Sequence, residues 1–197
     1  KQVKSLSTGF ITQLSTDQLN ALNAADIGYL NSLQWTSLSS AQVSALRTDQ
    51  IQRISGINLA AMGTDQISAW SGEQIAALTG PQISRLTTTQ VSNLNTSQVN
   101  AIETSDVTWL SADQLNVLST AQVSAISTDQ VVALTGRQIN ALGVDQFAAF
   151  DSDKIVALTS NQFKFLNSDQ LGALSSTQTQ AIETNDIAVL SGNQITA

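Results

Sequence analysis

Ser119-Thr120-Ala121-Gln122-Val123-Ser124-Ala125-Ile126-Ser127-Thr128-Asp129-Gln130-Val131-Val132-Ala133-Leu134 states one motif twice, eight residues apart. Outward from it, glutamine returns in the same register at Gln18, Gln42, Gln66, Gln90, Gln146, Gln170 and at many positions between them. No residue is inserted or lost across the 197 positions. Self-similarity at a fixed short period is the signature of a solenoid or array.

We number the octad from the glutamine as slot one. Slot two is apolar, from Val3 and Ile11 to Ile195, with Thr179 as the exception. Slot five is apolar throughout, as at Leu22, Leu46, Leu94, Leu118, Leu142 and Leu174; Met62, Trp70 and Phe150 stand in for leucine there. Slot four is mostly alanine. Slots two and five are spaced i, i+3, which places two large side chains on one helical face. A strand would need apolar residues in slots two, four and six, but slot six is mostly Ser, Thr or Asn. Alanine and glutamine also favour helix over strand.

Slot six supplies the start signal. Ser15 precedes Gln18 by three, and Ser111–Gln114, Ser127–Gln130 and Thr159–Gln162 repeat the spacing. This is a capping box: the hydroxyl accepts from the N3 amide and the glutamine reaches back to the N-cap amide. Asp17, Asp49, Asp65, Asp113, Asp129 and Asp145 fall in the first turn, where the helix dipole favours negative charge. Pro81 also falls in a first turn, where its missing N–H costs little. Each octad is therefore expected to be a capped helix of under two turns. Such a helix is unstable alone and needs its neighbours.

The expected fold is an all-α solenoid or superhelix of tandem octapeptide repeats, each a short capped helix. One continuous array of about 24 repeats spans 1–197. Neither end shows a polar capping unit, which reads as an excerpt of a longer array or as ends covered by identical neighbours. Slot-eight aspartates recur at multiples of sixteen, which suggests two helices per coil. Asp26, Asp106 and Asp186 replace the glutamine at intervals of eighty.

Stacked glutamines are expected to form an amide ladder along the solenoid, bonding to the next coil's backbone. The structural repeat residues are thus Gln18, Gln42, Gln66, Gln90, Gln122, Gln146, Gln170, Leu22, Leu46, Leu94, Leu118, Leu142 and Leu174. Slots three, seven and eight form polar columns, read as a solvated ridge. Tyr29, Trp109 and Phe165 occupy the alanine slot and are candidate contact aromatics.

The chain has no histidine and no cysteine, which leaves no ready general base, thiol nucleophile or zinc site. No calcium loop spacing occurs, and the recurrent aspartates are explained by capping. No catalytic, metal or cofactor site is expected. A net charge of −7 with scattered basic residues argues against nucleic acid. No stretch is long and apolar enough for a membrane span or for the apolar centre of a signal peptide.

The array resembles the short-repeat segments of very large secreted bacterial surface proteins, including RTX-type adhesins, in composition and octad style along its whole length. That resemblance implies export to the extracellular cell surface and a role as spacer, stalk or adhesive element. Ser127–Leu134 is also similar to the first helix of TAL-effector repeats, which are much longer and carry a base-reading loop absent here. A non-enzymatic structural module forming a rod is the expected function. Two alternatives stand beside it: a self-assembling filament subunit, with the chain itself as partner end to end or laterally, and a module binding protein, glycan or ice along its polar ridge.

Overall fold

The computed structural model describes residues 3–195. Among them, 23 α-helices of four to six residues and two 3-10 turns follow one another, with no strand. The helices begin where the caps lie. Ser15 accepts from the Gln18 amide and precedes Thr16–Ala21; Ser111, Ser127 and Thr159 do the same before Ala112–Asn116, Thr128–Ala133 and Ser160–Phe163. Slots five and six then leave the helix together. Leu22 (φ −66°, ψ 139°) and Asn23 (φ −70°, ψ 156°) are both extended, and the next helix starts at Ala24. No described residue has positive φ. Two extended residues thus make each corner without a left-handed glycine.

Caps also explain an exception. The octad with Glu103 in the cap slot and Asp106 in the glutamine slot closes only a 3-10 turn, Val107–Trp109, and the Asp106 side chain does not cap it. Where Glu183 and Asp186 repeat this pair, the helix is a bare four residues without a side-chain cap. Glutamate is a poor substitute for the short oxygen-bearing side chains that suit an N-cap.

The chain forms two compact units, one ending at Ile102 and one beginning at Glu103. Within each, helices pack against those three octads away. Thr8–Gln13 lies on Ser32–Ser37, which lies on Gly56–Ala61; Thr128–Ala133 lies on Ser152–Ala157, which lies on Ser176–Ala181. Hydrogen bonds between coils join residues 25, 28 and 31 apart. One coil turn therefore holds more than three octads and fewer than four. The sixteen-residue alternation is not the coil: two helices per turn is corrected by these separations.

Slots two and five build the core, as their spacing predicts. Trp35, Val43, Ile51, Leu59 and Ile67 are fully buried in the first unit, and Leu115, Val123, Val131, Ile139 and Phe147 in the second. Leu46, Leu94, Leu118 and Leu142 are buried behind them. The Phe147 and Phe150 rings meet at 5.4 Å between centroids, tilted by 50°. Trp70 sends its indole N–H to the Val43 carbonyl at 3.2 Å.

The predicted core thins at both ends. Leu22 and Leu174 are only half-buried, because each lies in a coil covered on one side. The two ends are not alike. In the first coil slot two is covered at Ile11 and Leu19 while slot five is half-open at Leu14 and Leu22. In the last coil slot two itself is open, with Ile187 44% and Ile195 63% exposed.

Candidate functional site

The residue that organises every coil is the slot-one glutamine. Its carboxamide has one acceptor oxygen and two N–H donors. The oxygen serves its own helix: Ser39 N–H donates to Gln42 Oε1 at 2.9 Å, Gly63 N–H to Gln66 at 2.8 Å, and Thr87 N–H to Gln90 at 2.8 Å. The nitrogen serves the preceding coil. Gln42 Nε2 donates to the Ile11 and Leu14 carbonyls at 3.0 and 2.8 Å. Gln66 donates to Trp35 and Leu38 at 2.9 and 2.7 Å, and Gln90 to Leu59 and Met62 at 2.8 and 2.7 Å.

The second unit repeats the pattern. Gln146 donates to Leu115 and Leu118 at 2.9 and 2.5 Å, and Gln170 to Ile139 and Leu142 at 3.0 and 2.8 Å. Gln122 makes the capping pair with Ser119, its oxygen accepting from Ser119 N–H at 2.7 Å. Gln18 caps with Ser15 in the same way but is exposed.

This is why the column is glutamine. A short helix leaves its last carbonyls without intrahelical partners, and burial makes that costly. Slot-two and slot-five carbonyls receive their donor from a glutamine 31 and 28 residues later, as Ile51 and Ile54 do from Gln82 and Ile139 and Leu142 from Gln170. Glutamate has no donor and lysine no acceptor, so neither can do both tasks. The expected ladder of stacked glutamines bonded to a neighbouring coil's backbone runs to the preceding coil, 28 and 31 residues back. The amides bond to backbone on both sides.

Departures from glutamine keep part of the scheme. Asn58 donates to the Leu30 carbonyl at 2.9 Å, while its oxygen accepts from Ser32 Oγ at 2.8 Å. Asp186 accepts from Ser160 Oγ at 2.5 Å in the same relation. Lys154 is buried and turns its ammonium to Asp151, its own N-cap, at 2.7 Å. That ammonium, together with the Lys154 backbone N–H, holds the Asp151 carboxyl below the usual carboxylate range.

The polar slots are more than a solvated ridge. Ser68 Oγ and Ser124 Oγ in slot three donate to the Asn93 and Ala149 carbonyls at 3.2 and 3.1 Å, and Asn140 Nδ2 to the Phe165 carbonyl at 2.7 Å. On the rim, Arg47 pairs with Asp49 at 3.0 Å and also bonds the Asn20 carbonyl. The Arg47 guanidinium holds the Asp49 carboxyl below its ordinary value.

Of the three off-pattern aromatics, Tyr29 and Phe165 each meet a neighbour of their own. Tyr29, 42% exposed, lies under the Lys4 ammonium at 5.4 Å from the ring centroid. Phe165, 40% exposed, covers Gly136, where a Cβ would overlap the ring. Arg85 covers Gly56 in the same way, so a large slot-four side chain goes with glycine in slot seven 29 residues earlier. Trp109 ends the 3-10 turn and is half-exposed.

One feature was not read from the sequence. Leu33 and Ile57, in slot eight, are 74% and 78% exposed. They are 24 residues apart on helices that pack together, and Pro81 continues the series on the next, Gly80–Ile83. The signal was present as apolar residues in a polar slot, but it becomes a ridge only when the coil turn is known. Among the described residues no three acidic, histidine or cysteine side chains converge as metal ligands. No helix there is long and apolar enough to cross a membrane.

Residues 58–88, 99–136 and 148–184, together just over half the sequence, match the ALTTAQ repeat. The chain belongs to the ALTTAQ repeat family. The six letters read across slots four to one: alanine, the core leucine, the capping hydroxyl, two first-turn residues and the stitching glutamine. The matched stretches include the variant octads of Asn58, Asp106 and Lys154, so the ALTTAQ pattern tolerates slot-one changes. No curated protein matches the sequence.

Proposed function

We propose that this ALTTAQ repeat chain is a non-enzymatic spacer that makes a stiff rod segment within an extracellular bacterial surface protein or adhesin. One observation carries the reading: the repeated polar group, the slot-one carboxamide, spends its oxygen on its own cap and its nitrogen on the preceding coil. Each added octad is tied to its own helix and to the coil before it, so length grows without new chemistry. The composition, acidic and free of cysteine, agrees with an exported surface protein.

Small-angle scattering of the chain, with far-UV circular dichroism on the same sample, tests this. A helical particle with one well-defined long dimension supports the spacer. A flexible coil or a compact sphere overturns it. A second reading, a module that docks a protein partner, draws on the exposed Leu33–Ile57–Pro81 ridge. Leu33→Ser with Ile57→Ser would abolish retention of such a partner while leaving the dichroism unchanged.

A further inference from the structure

We infer that the Leu33–Ile57–Pro81 ridge docks the same ridge of a second copy, in an antiparallel pair whose two-fold axis passes at Ile57. The inference rests on the docking reading of that ridge and names its occupant.

The ridge follows one stack of helices in the first unit: Ser32–Ser37 packs on Gly56–Ala61, which packs on Gly80–Ile83. Two contacts fix its line. Ser32 Oγ, beside Leu33, donates to Asn58 Oδ1, beside Ile57, at 2.8 Å. Arg85, in the octad of Pro81, lies over Gly56. Packed helices stand about 8–10 Å apart, so the three side chains are evenly spaced with Ile57 in the middle. All three are exposed.

Charge selects the occupant. Asp17 and Asp65 lie on a second stack, joined through Ser40–Ser44, and Asp26, Asp49 and Glu73 on a third. The ridge octads 31–38, 55–62 and 79–86 contain no acid, and Arg85 is their one charged residue. A basic partner would find no carboxylate there, and an acidic one only Arg85. Residues 1–102 hold five acidic and five basic residues, so the whole net charge of −7 falls in 103–197. A second copy therefore meets the least like-charge repulsion on the first unit, and on this stack it meets no carboxylate.

Arg85 also sets the direction. Parallel pairing would bring Arg85 of both copies to one level, where like charges repel. Antiparallel pairing sets each against the uncharged octad 31–38 of the other copy. Even spacing about Ile57 then matches Leu33 of one copy with Pro81 of the other. The contact is isologous and closes at two copies.

Sedimentation velocity of the unaltered chain, and single cysteines placed in this cysteine-free sequence, test the pairing. The mean mass should rise with concentration towards twice the monomer and no further. Ile57→Ser should hold it at the monomer, with helices retained by dichroism. Under mild oxidation Ile57→Cys should give several-fold more disulfide-linked dimer than Ala41→Cys, an exposed slot-eight site on the second stack. Leu33→Cys should link to Pro81→Cys in a mixture and not to itself. Self-linkage of Leu33→Cys overturns the antiparallel arrangement. A monomeric chain whose Ile57→Cys links no more than Ala41→Cys overturns the second copy as occupant, and leaves docking of another protein to the retention test of the doubly substituted ridge. If Ile57→Cys loses its helices, Ala60→Cys, exposed one helical turn on, takes its place with the same outcomes.

Discussion

The octads Gly143–Phe150 and Asp151–Leu158 are neighbours in the chain and solve the same problem in different ways. Each must start a short helix and neutralise a buried slot one. In the first, Gly143 has no capping side chain, so Gln146 accepts the Gly143 N–H at 2.7 Å and sends its amide 28 and 31 residues back. In the second, Asp151 accepts the Lys154 N–H at 2.9 Å and receives its ammonium at 2.7 Å. The glutamine octad is tied to another coil; the lysine octad is closed on itself. A cap can come from either partner of the box, but only a carboxamide caps and stitches together.

Five changes would break or sharpen that contrast, from largest to smallest effect. Truncating slot two should ignore the difference. Phe147→Ala and Ile155→Ala should each lower stability by about 3–5 kcal/mol in urea unfolding, since both side chains are fully buried. Gln146→Ala should cost about 2–4 kcal/mol, because it removes a cap and strands the Leu115 and Leu118 carbonyls. A loss below that of a simple surface change would show that the coil stitch contributes nothing.

Asp151→Asn should cost less, about 1–2 kcal/mol, because Asp151 is largely exposed although Lys154 is buried. Its pH dependence is specific. The folded carboxyl titrates below its unfolded value, so its contribution is complete above the ordinary carboxylate range and is lost as pH falls through the depressed value. Acid titration of the variant should therefore lack that component below about pH 4. Identical acid unfolding of the two proteins would remove the ion pair from the account.

Gly136→Ala should cost about 1 kcal/mol by pushing the Phe165 ring outward, and a Phe165→Ala background should erase the penalty. Additive effects in that double variant would mean the two do not touch. Finally, Lys154→Gln combined with Asp151→Ser rebuilds the common octad, and a gain of about 0.5–1 kcal/mol in thermal unfolding is expected. A loss would show that the lysine octad is adapted to its place.

Much of this was legible in the residues. The octad period, the helix starts at Ser15, Ser111, Ser127 and Thr159, and the core at slots two and five follow from capping chemistry and helical spacing, both local. The glutamine was half legible. Its oxygen bonds three residues back, within reach of pattern, while its nitrogen crosses a coil to a carbonyl at a separation set by the turn. For the same reason the Leu33–Ile57 ridge, and the cover of Gly56 by Arg85 and of Gly136 by Phe165, depend on the coil turn rather than on the octad.

By itself, then, the sequence determined that the chain is all helix, where each helix begins, and which side chains leave water. Those depend on contacts within one octad, where spacing is geometry. Only the tertiary structure decided how many octads make a turn, because that depends on the angle at each extended slot-five and slot-six corner, accumulated over successive corners. The coil turn in turn selects which carbonyl meets which glutamine and which glycine lies under which large side chain.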